Sequence, residues 1–190
     1  DWSSDVCSSD LMDYRQMEED YRLYLKGDGE AFSRIVRDYR APVTAFIARM
    51  MKGSDEAEDL AADVFVELLE HPGRYRFQSS LKTYLFAVAH HRTVDYLRKN
   101  SRRPEIPPVL PLPEEPESRL LAAERRREVE EAWNDLKEEY RMAVFLTAVE
   151  GLSYEEAARV MEKSVRQIRD YCRRGRQQLR GRLADAPGSR

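Results

Sequence analysis

The sequence predicts an all-α fold: two small helical domains joined by a proline-rich linker. Three observations point there. Apolar residues recur at helical spacing along most of the chain, and strand-like alternation is nearly absent. Gly, Pro, Ser and Asp break the pattern into short helices with start and stop signals. Six of the nine prolines (Pro104, Pro107, Pro108, Pro111, Pro113 and Pro116) fall within thirteen residues. Proline removes donors and blocks helix, so this stretch reads as an extended spacer, able to span about 40 Å.

The elements follow in order. A helix around Met17–Leu25 stops at Gly27-Asp28-Gly29. A second runs from about Glu30 towards Met51 with Phe32, Ile35, Val36 and Tyr39 on one face, and Pro42 is expected to kink it. Ser54 or Asp55 caps a third, with Glu58 completing a capping box; Leu60, Val64 and Leu68 share its apolar face, and His71-Pro72-Gly73 ends it. Ser79 or Ser80 opens a fourth, reaching about Asn100 on a stripe of Leu81, Tyr84, Leu85 and Val88, with Phe86 also expected in the core. Beyond the linker, helices are expected over about Glu117–Asn134 and Lys137–Val149, the latter ended by Gly151. Ser153 and Glu156 make a capping box for a short helix whose Tyr154, Ala157, Ala158 and Met161 lie on one face. Ser164, with Gln167 at the box position, caps a final helix carrying Val165, Ile168, Cys172, Leu179 and Leu183.

Composition bounds the function. The 190 residues hold 32 Lys+Arg against 35 Asp+Glu, a net charge of −3, with 35% charged and 42% hydrophobic residues. Such balance argues against a disordered chain and against a uniformly basic nucleic-acid binder. No apolar run approaches the ~20 residues that cross a membrane. The acidic, serine-rich N-terminus does not read as a secretory signal; a cytoplasmic protein with no membrane insertion is expected. Cys7 and Cys172 make neither a disulfide framework nor a zinc site. Residues 1–11, DWSSDVCSSDL, back-translate at every codon to a common short-read sequencing adapter. They are expected to be foreign, with Met12 as the start and Cys7 not native. The expected divisions are then a first domain over 12–102, a linker over 103–118, a second domain over 119–185 and a tail over 186–190.

Charge is segregated along the chain. Residues 12–70 sum to −6, 71–103 to +7, 104–156 to −8 and 157–190 to +7. A chain near neutrality therefore carries two basic surfaces, each able to grip phosphate, preceded by acidic ones. In the last helix an arginine stripe (Arg166, Arg169, Arg173, Arg176 and Arg180, with Arg174 and Arg182 beside it) runs next to the apolar one. A short capped helix, a tight turn and a basic amphipathic helix make a helix-turn-helix, whose second helix enters a DNA major groove. A membrane surface or a helix-binding partner is the rival for a basic amphipathic helix alone.

Three stretches carry a resemblance: AEDLAADVFVELL (57–69), FQSSLKTYLFAVAHHRTVDYLRK (77–99) and EGLSYEEAARVMEKSVRQIRDYCRRGRQQLRGRL (150–183). Together they resemble the extracytoplasmic-function (ECF) type of the sigma-70 family of RNA polymerase sigma factors, over about Gly27–Leu183. The resemblance implies a region 2-like first domain that binds the β′ clamp helices of core RNA polymerase and reads and melts the promoter −10 element. It implies a region 4-like second domain that docks on the β flap and reads the −35 element. Polymerase contact is then expected at Asp59, Asp63 and Glu67. Contact with −10 DNA is expected at Arg74, Tyr75, Arg76, Phe77, Gln78, Lys82, Arg92, Asp95, Arg98 and Lys99, the aromatics stacking on unpaired bases at ~1–3 kcal/mol each. Contact with −35 DNA is expected at Ser164, Arg166, Gln167, Arg169, Asp170, Arg173, Arg174 and Arg176. Asp170 either accepts from a cytosine amino group or pairs with a neighbouring arginine. An anti-sigma factor is a further expected partner.

The chain departs from the family pattern at Ala62, Tyr84, His91, Glu162 and Lys163. Glu162 stands where a turn favours glycine, at a cost of about 1 kcal/mol. No cofactor is expected. His71, His90 and His91 lack metal-type spacing with cysteine, although His91 and Asp95 are one helical turn apart. No glycine-rich phosphate loop or nucleophile motif suggests an enzyme. The alternative is a helix-turn-helix regulator acting without core polymerase.

Overall fold

In a computed structural model the structure describes residues 8–51, 56–100 and 128–184. The first domain holds α1 (Ser8–Leu25), α2 (Gly29–Met50), α3 (Ala57–Glu70), a single 3₁₀ turn (Pro72–Arg74) and α4 (Leu81–Asn100). The second holds helical residues 128–134, α5 (Glu138–Val144) running on into a π turn (Phe145–Val149), α6 (Tyr154–Met161) and α7 (Val165–Ala184). No strand occurs among the described residues. The expected proline-rich linker lies outside them.

Local signals set most of these boundaries. Gly27, at φ 103°, closes α1, and the Asp28 carboxylate accepts from the Glu30 and Ala31 amides to start α2. Arg34 donates twice to Asp20 Oδ1, at 3.0 and 2.7 Å, and so ties α2 to α1 through a carboxylate that is itself buried. Pro42 sits inside α2, which continues unbroken to Met50. On α2, Phe32, Ile35, Tyr39, Val43, Phe46 and Ile47 are buried, against Val64, Phe65 and Leu68 of α3 and Leu81, Leu85 and Phe86 of α4 in one core. In the second domain, Ser153 and Glu156 close a reciprocal capping box, and Ser164 and Gln167 bond in the same way.

Three expectations change. α1 begins at Ser8, so part of the segment read as non-periodic is helical; extending a formed helix costs far less than nucleating one. α3 begins at Ala57, with Glu56 rather than Ser54 or Asp55 at the N-cap and no side-chain cap bond from it; Ser54 and Asp55 lie outside the described residues. The buried Ala57 anchors that first turn by packing instead. The helix expected to end at Val149 finishes as a π turn. There the Thr147 hydroxyl donates to the Ala143 carbonyl at 2.8 Å, and Leu152 N bonds Leu146 O at 2.9 Å.

The two domains pack directly on one another and share a continuous apolar core. Phe46 meets Phe145 with ring centroids 5.9 Å apart, and the Arg49 guanidinium lies over both Trp133 and Phe145, at 5.0 and 5.2 Å. α6 lies against α4. Between α5 and α7 the approach is close at Gly175, where a Cβ would stand 2.8 Å from Val144 Cγ2 and 3.3 Å from the Tyr140 carbonyl oxygen. Gly175→Ala is therefore expected to lose more by overpacking than it gains in helix propensity. A net destabilisation of about 1–2 kcal/mol should appear as a lower urea midpoint at unchanged slope.

Candidate nucleic-acid interface

The outward face of α3 carries Asp59 and Asp63, both exposed, followed by the exposed apolar side chains Val66 and Leu69. Glu67 lies one turn further and is mostly covered. It is the acceptor of a small ionic network: Arg92 donates to it at 2.9 Å and Arg74 at 2.6 Å, while Arg92 also reaches Asp63 at 3.3 Å. Burial pushes the Glu67 carboxyl up, but the bonds from Arg92 and Arg74 outweigh it and hold the group below the usual carboxylate value. The acidic face of α3 and the basic face of α4 are thus stitched together. Arg74 and Arg92, expected on DNA phosphate, are held by these carboxylates.

The loop after the 3₁₀ turn is built on aromatic rings. Tyr75 packs against Tyr21, Phe77 and Tyr84 at centroid distances of 5.4, 4.7 and 5.2 Å, and its hydroxyl donates to Ser79 O at 2.8 Å. At 4% exposure Tyr75 is core, which corrects its expected place among the base-stacking residues. Its ring is the wedge that seats the loop on α1 and α4. Phe77 differs. It is 39% exposed, and its backbone is left-handed at φ 57°, a conformation a bulky residue adopts only under constraint. The constraint is visible: the ring packs against Tyr75, and the Arg22 guanidinium lies 5.0 Å from the Phe77 centroid. Arg76 and Gln78 beside it are exposed. The contribution of α1 through Tyr21 and Arg22 was not anticipated, although the aromatic pair Tyr21 and Tyr24 on that helix signalled a packing face.

α4 carries Lys82, Arg92, Asp95, Arg98 and Lys99. Its C-terminal half is open: Asp95, Arg98 and Lys99 are exposed, and Arg98 bonds Asp95 at 3.0 Å. Its N-terminal half is covered, since no residue from Leu81 to His90 is exposed. Lys82, expected on phosphate, donates instead to the Glu150 carbonyl at 2.6 Å and pairs with the Glu150 carboxylate at 3.3 Å. The Ser80 and Thr83 hydroxyls donate to Glu156 Oε1 at 3.1 and 3.0 Å. The other oxygen of that carboxylate closes the α6 capping box from Ser153 N at 2.9 Å. Burial raises the Glu156 carboxyl, while the bonds from Ser153, Thr83 and Ser80 more than reverse this and leave it low.

α7 keeps its apolar stripe inward, with Ile168, Cys172 and Gly175 buried, and its arginines outward. Arg166, Arg169, Arg173 and Arg174 are exposed, Arg176 is half-buried, and Ser164 and Gln167 are exposed at the helix start. Asp170 takes the pairing alternative, bonding Arg173 at 2.7 Å and Arg174 at 2.8 Å. Arg169 lies over the Tyr154 ring at 5.5 Å. Between the helices Glu162 is left-handed, at φ 52°, the strained non-glycine turn expected from the sequence. After this turn the start of α7 is exposed at Ser164, Arg166 and Gln167. Among the described residues no helix is long and apolar enough to cross a membrane.

Comparison with known proteins matches both halves. A family model for sigma-70 region 2 matches residues 35–103, and one for sigma-70 region 4 matches residues 126–179. RNA polymerase sigma-H factor of Pseudomonas aeruginosa is 29% identical over 167 residues, covering 81% of this chain and 86% of that protein. ECF RNA polymerase sigma-E factor of Escherichia coli K12 is 29% identical over 167 residues, covering 81% and 87%. Among solved structures, the sigma factor RpoE of Bartonella quintana, in complex with the anti-sigma factor NepR, aligns at TM-score 0.67 and 24% identity over 81% of this chain and 97% of that one. CnrH, in complex with the cytosolic domain of CnrY, aligns at TM-score 0.62 and 22% identity over 92% and 99%. These two likenesses establish the fold.

Glu156 generates a test of the geometry. A carboxyl held low in the folded state contributes stability that is present above the ordinary glutamate value and lost as pH falls through the lowered one. Glu156→Gln is expected to melt below the parent protein at neutral pH, by an amount equivalent to about 1 kcal/mol. The gap should close as pH falls below the ordinary glutamate value and through the lowered one, as followed by circular dichroism.

Proposed function

The chain belongs to the sigma-70 family, matched in both region 2 and region 4, and we propose that it is an ECF-type initiation factor that binds core RNA polymerase and directs it to promoters. The observation that carries this reading is the pairing of the two matched regions, in family order, with a proline-rich stretch between them. Its work is binding rather than catalysis, and its place is the cytoplasm, where polymerase and DNA meet. The domains are taken as 12–102 and 119–185 with the linker at 103–118.

Each surface then has a task. The α3 face with Asp59, Asp63 and Glu67, flanked by exposed Val66 and Leu69, serves the polymerase clamp; apolar side chains ringed by carboxylates suit a partner with a basic rim. Arg76, Phe77 and Gln78 with Arg92, Asp95, Arg98 and Lys99 serve the −10 element. Phe77, held out in a strained backbone, offers a ring face to an unpaired base. Capture of unpaired bases offsets the unstacking of the duplex, so melting follows from binding free energy with no chemical step. Arg166, Gln167, Arg169, Arg173, Arg174 and Arg176, with Ser164 at the helix start, serve the −35 element; the arginines hold phosphates and the polar N-terminal residues face base edges. The second domain also meets the β flap, and an anti-sigma factor is a partner in keeping with the complexes in which the two structural neighbours were solved.

The test is transcription. Purified chain added to core polymerase should bind it and initiate from promoters in a genomic library; failure of both sinks the reading. Arg169→Ala with Arg173→Ala should weaken binding of upstream promoter DNA and lower the slope of log affinity against log salt by about 1–2. Core binding, read by size-exclusion chromatography, should stay intact.

A further inference from the structure

We propose that Asp170 is a positioning residue that sets the sequence specificity of α7: it holds Arg173 and Arg174 as one fork, anchored on Tyr140, and so trades general grip on DNA for discrimination between base sequences. This rests on the reading of α7 as the helix that serves the −35 element.

Charge alone argues against an acid at this place. Seven arginines lie on α7, and Asp170 is its one acidic residue. It sits half-buried among the exposed side chains of Arg166, Arg169, Arg173 and Arg174. There it repels every phosphate that those arginines attract, whatever the sequence.

The geometry shows what the carboxylate does instead. Arg173 Nη2 donates to Oδ1 at 2.7 Å, and Arg174 Nε lies 2.8 Å from Oδ2, so each oxygen holds a different guanidinium. The partners stand at i+3 and i+4, the spacing at which side chains meet on a helix. The bond from Arg173 is the largest influence on the carboxyl. With the bond from Arg174 it outweighs desolvation and holds the group below the usual aspartate value, so the carboxylate stays charged and paired. Arg174 then ties the fork to the domain core. Its Nη1 donates to the Tyr140 hydroxyl at 3.4 Å. Tyr140, on α5, is buried, and its ring lies 5.6 Å from that of Tyr171. One run of contacts thus leads from a packed ring through Arg174 and Asp170 to Arg173.

Order of this kind matters to base reading and little to phosphate binding. A bidentate contact with guanine O6 and N7 needs the guanidinium plane aligned with the base edge. A mobile arginine loses rotamer freedom to reach that alignment, and a held one loses less. Phosphate contacts position the protein without reading sequence, and a mobile cation serves them as well. Asp170 therefore lowers the affinity that all sequences share and favours the affinity that only a correctly placed base pair receives.

The experiment uses the full chain and duplex DNA. Selection from a randomised duplex library gives the sequence that the parent prefers. Anisotropy then reads affinity for that duplex and for a mixed-sequence duplex across a series of salt concentrations. Circular dichroism checks that each variant keeps its helicity. Asp170→Asn should bind the mixed-sequence duplex more tightly, while its ratio of selected to mixed-sequence affinity falls about tenfold. Tyr140→Phe alters no charge at neutral pH; it should leave mixed-sequence affinity unchanged and lower the ratio about threefold. Asp170→Glu, which keeps the charge and can still reach both arginines, should retain most of the ratio. If Asp170→Asn raises both affinities equally and the ratio stays put, the inference is overturned and Asp170 is only a charge on a solvated helix. If Asp170→Asn loses the ratio while Tyr140→Phe matches the parent, the carboxylate reads a base itself and the positioning role is overturned. A parent with no preferred sequence overturns it too. Core binding is read in parallel by size-exclusion chromatography. A parent that binds core while the ratio stays unchanged sinks the fork and leaves the initiation-factor reading standing. A parent that does not bind core while the ratio falls as expected sinks that reading and leaves the fork standing.

Discussion

One carboxylate is hydrogen-bonded in both halves of this molecule at once. Glu156 accepts from Ser153 at one oxygen and from Ser80 and Thr83 at the other. The first oxygen starts the short helix of the helix-turn-helix, and the second stands at the start of α4. Neither task needs a charge in isolation, since a neutral cap serves a helix N-terminus almost as well. Combined, they use a carboxylate fully, because four donors converge on a half-buried group that is costly to leave unsatisfied. The orientation of α6, and with it the turn at Glu162 and the direction of α7, follows from this anchor.

α4 shows the consequence for function. One side of its N-terminal half supplies Leu81, Leu85 and Ala89 to the core of the first domain, while Lys82, Thr83 and His90 meet the second. A helix covered on two sides has no free face to offer, so in this arrangement only its C-terminal half, with Asp95, Arg98 and Lys99, meets solvent as a DNA-reading surface would. The strained backbones lie near the same surfaces. Phe77 and Glu162 are the two non-glycine residues of positive φ among those described. One presents a ring beside α4, and the other sets the angle between the two helices of the helix-turn-helix. Strain of this kind persists where neighbouring packing over-determines it.

Much of the fold was legible because its signals are short-range. The Ser153–Glu156 and Ser164–Gln167 boxes, the stop at Gly27 and the stripe Ile168–Cys172 each depend on residues within a few positions of one another, and each stands as expected. The arginine stripe of α7 was readable for the same reason: helical periodicity alone separates it from the buried stripe. Tyr75 was misread because an aromatic in a basic loop suits base stacking and core packing equally. Only the rings of Tyr21 and Tyr84, brought in from distant α1 and from α4, decide between them.

By itself the sequence determined most of the helices, the caps at Ser153 and Ser164, the alternation of acidic and basic blocks and the division into two domains, since propensity, capping and patterning act along the chain. Tertiary structure alone decided which donors find which carboxylates. Lys82 reaches Glu150 across 68 residues and Ser80 reaches Glu156 across 76. The pairing of Arg92 with Glu67 rather than with solvent is of the same kind. Charge blocks announce that such contacts are available. Because Coulomb attraction between blocks carries no register, only the packed apolar core, with Phe46 against Phe145, places one particular ammonium beside one particular carboxylate.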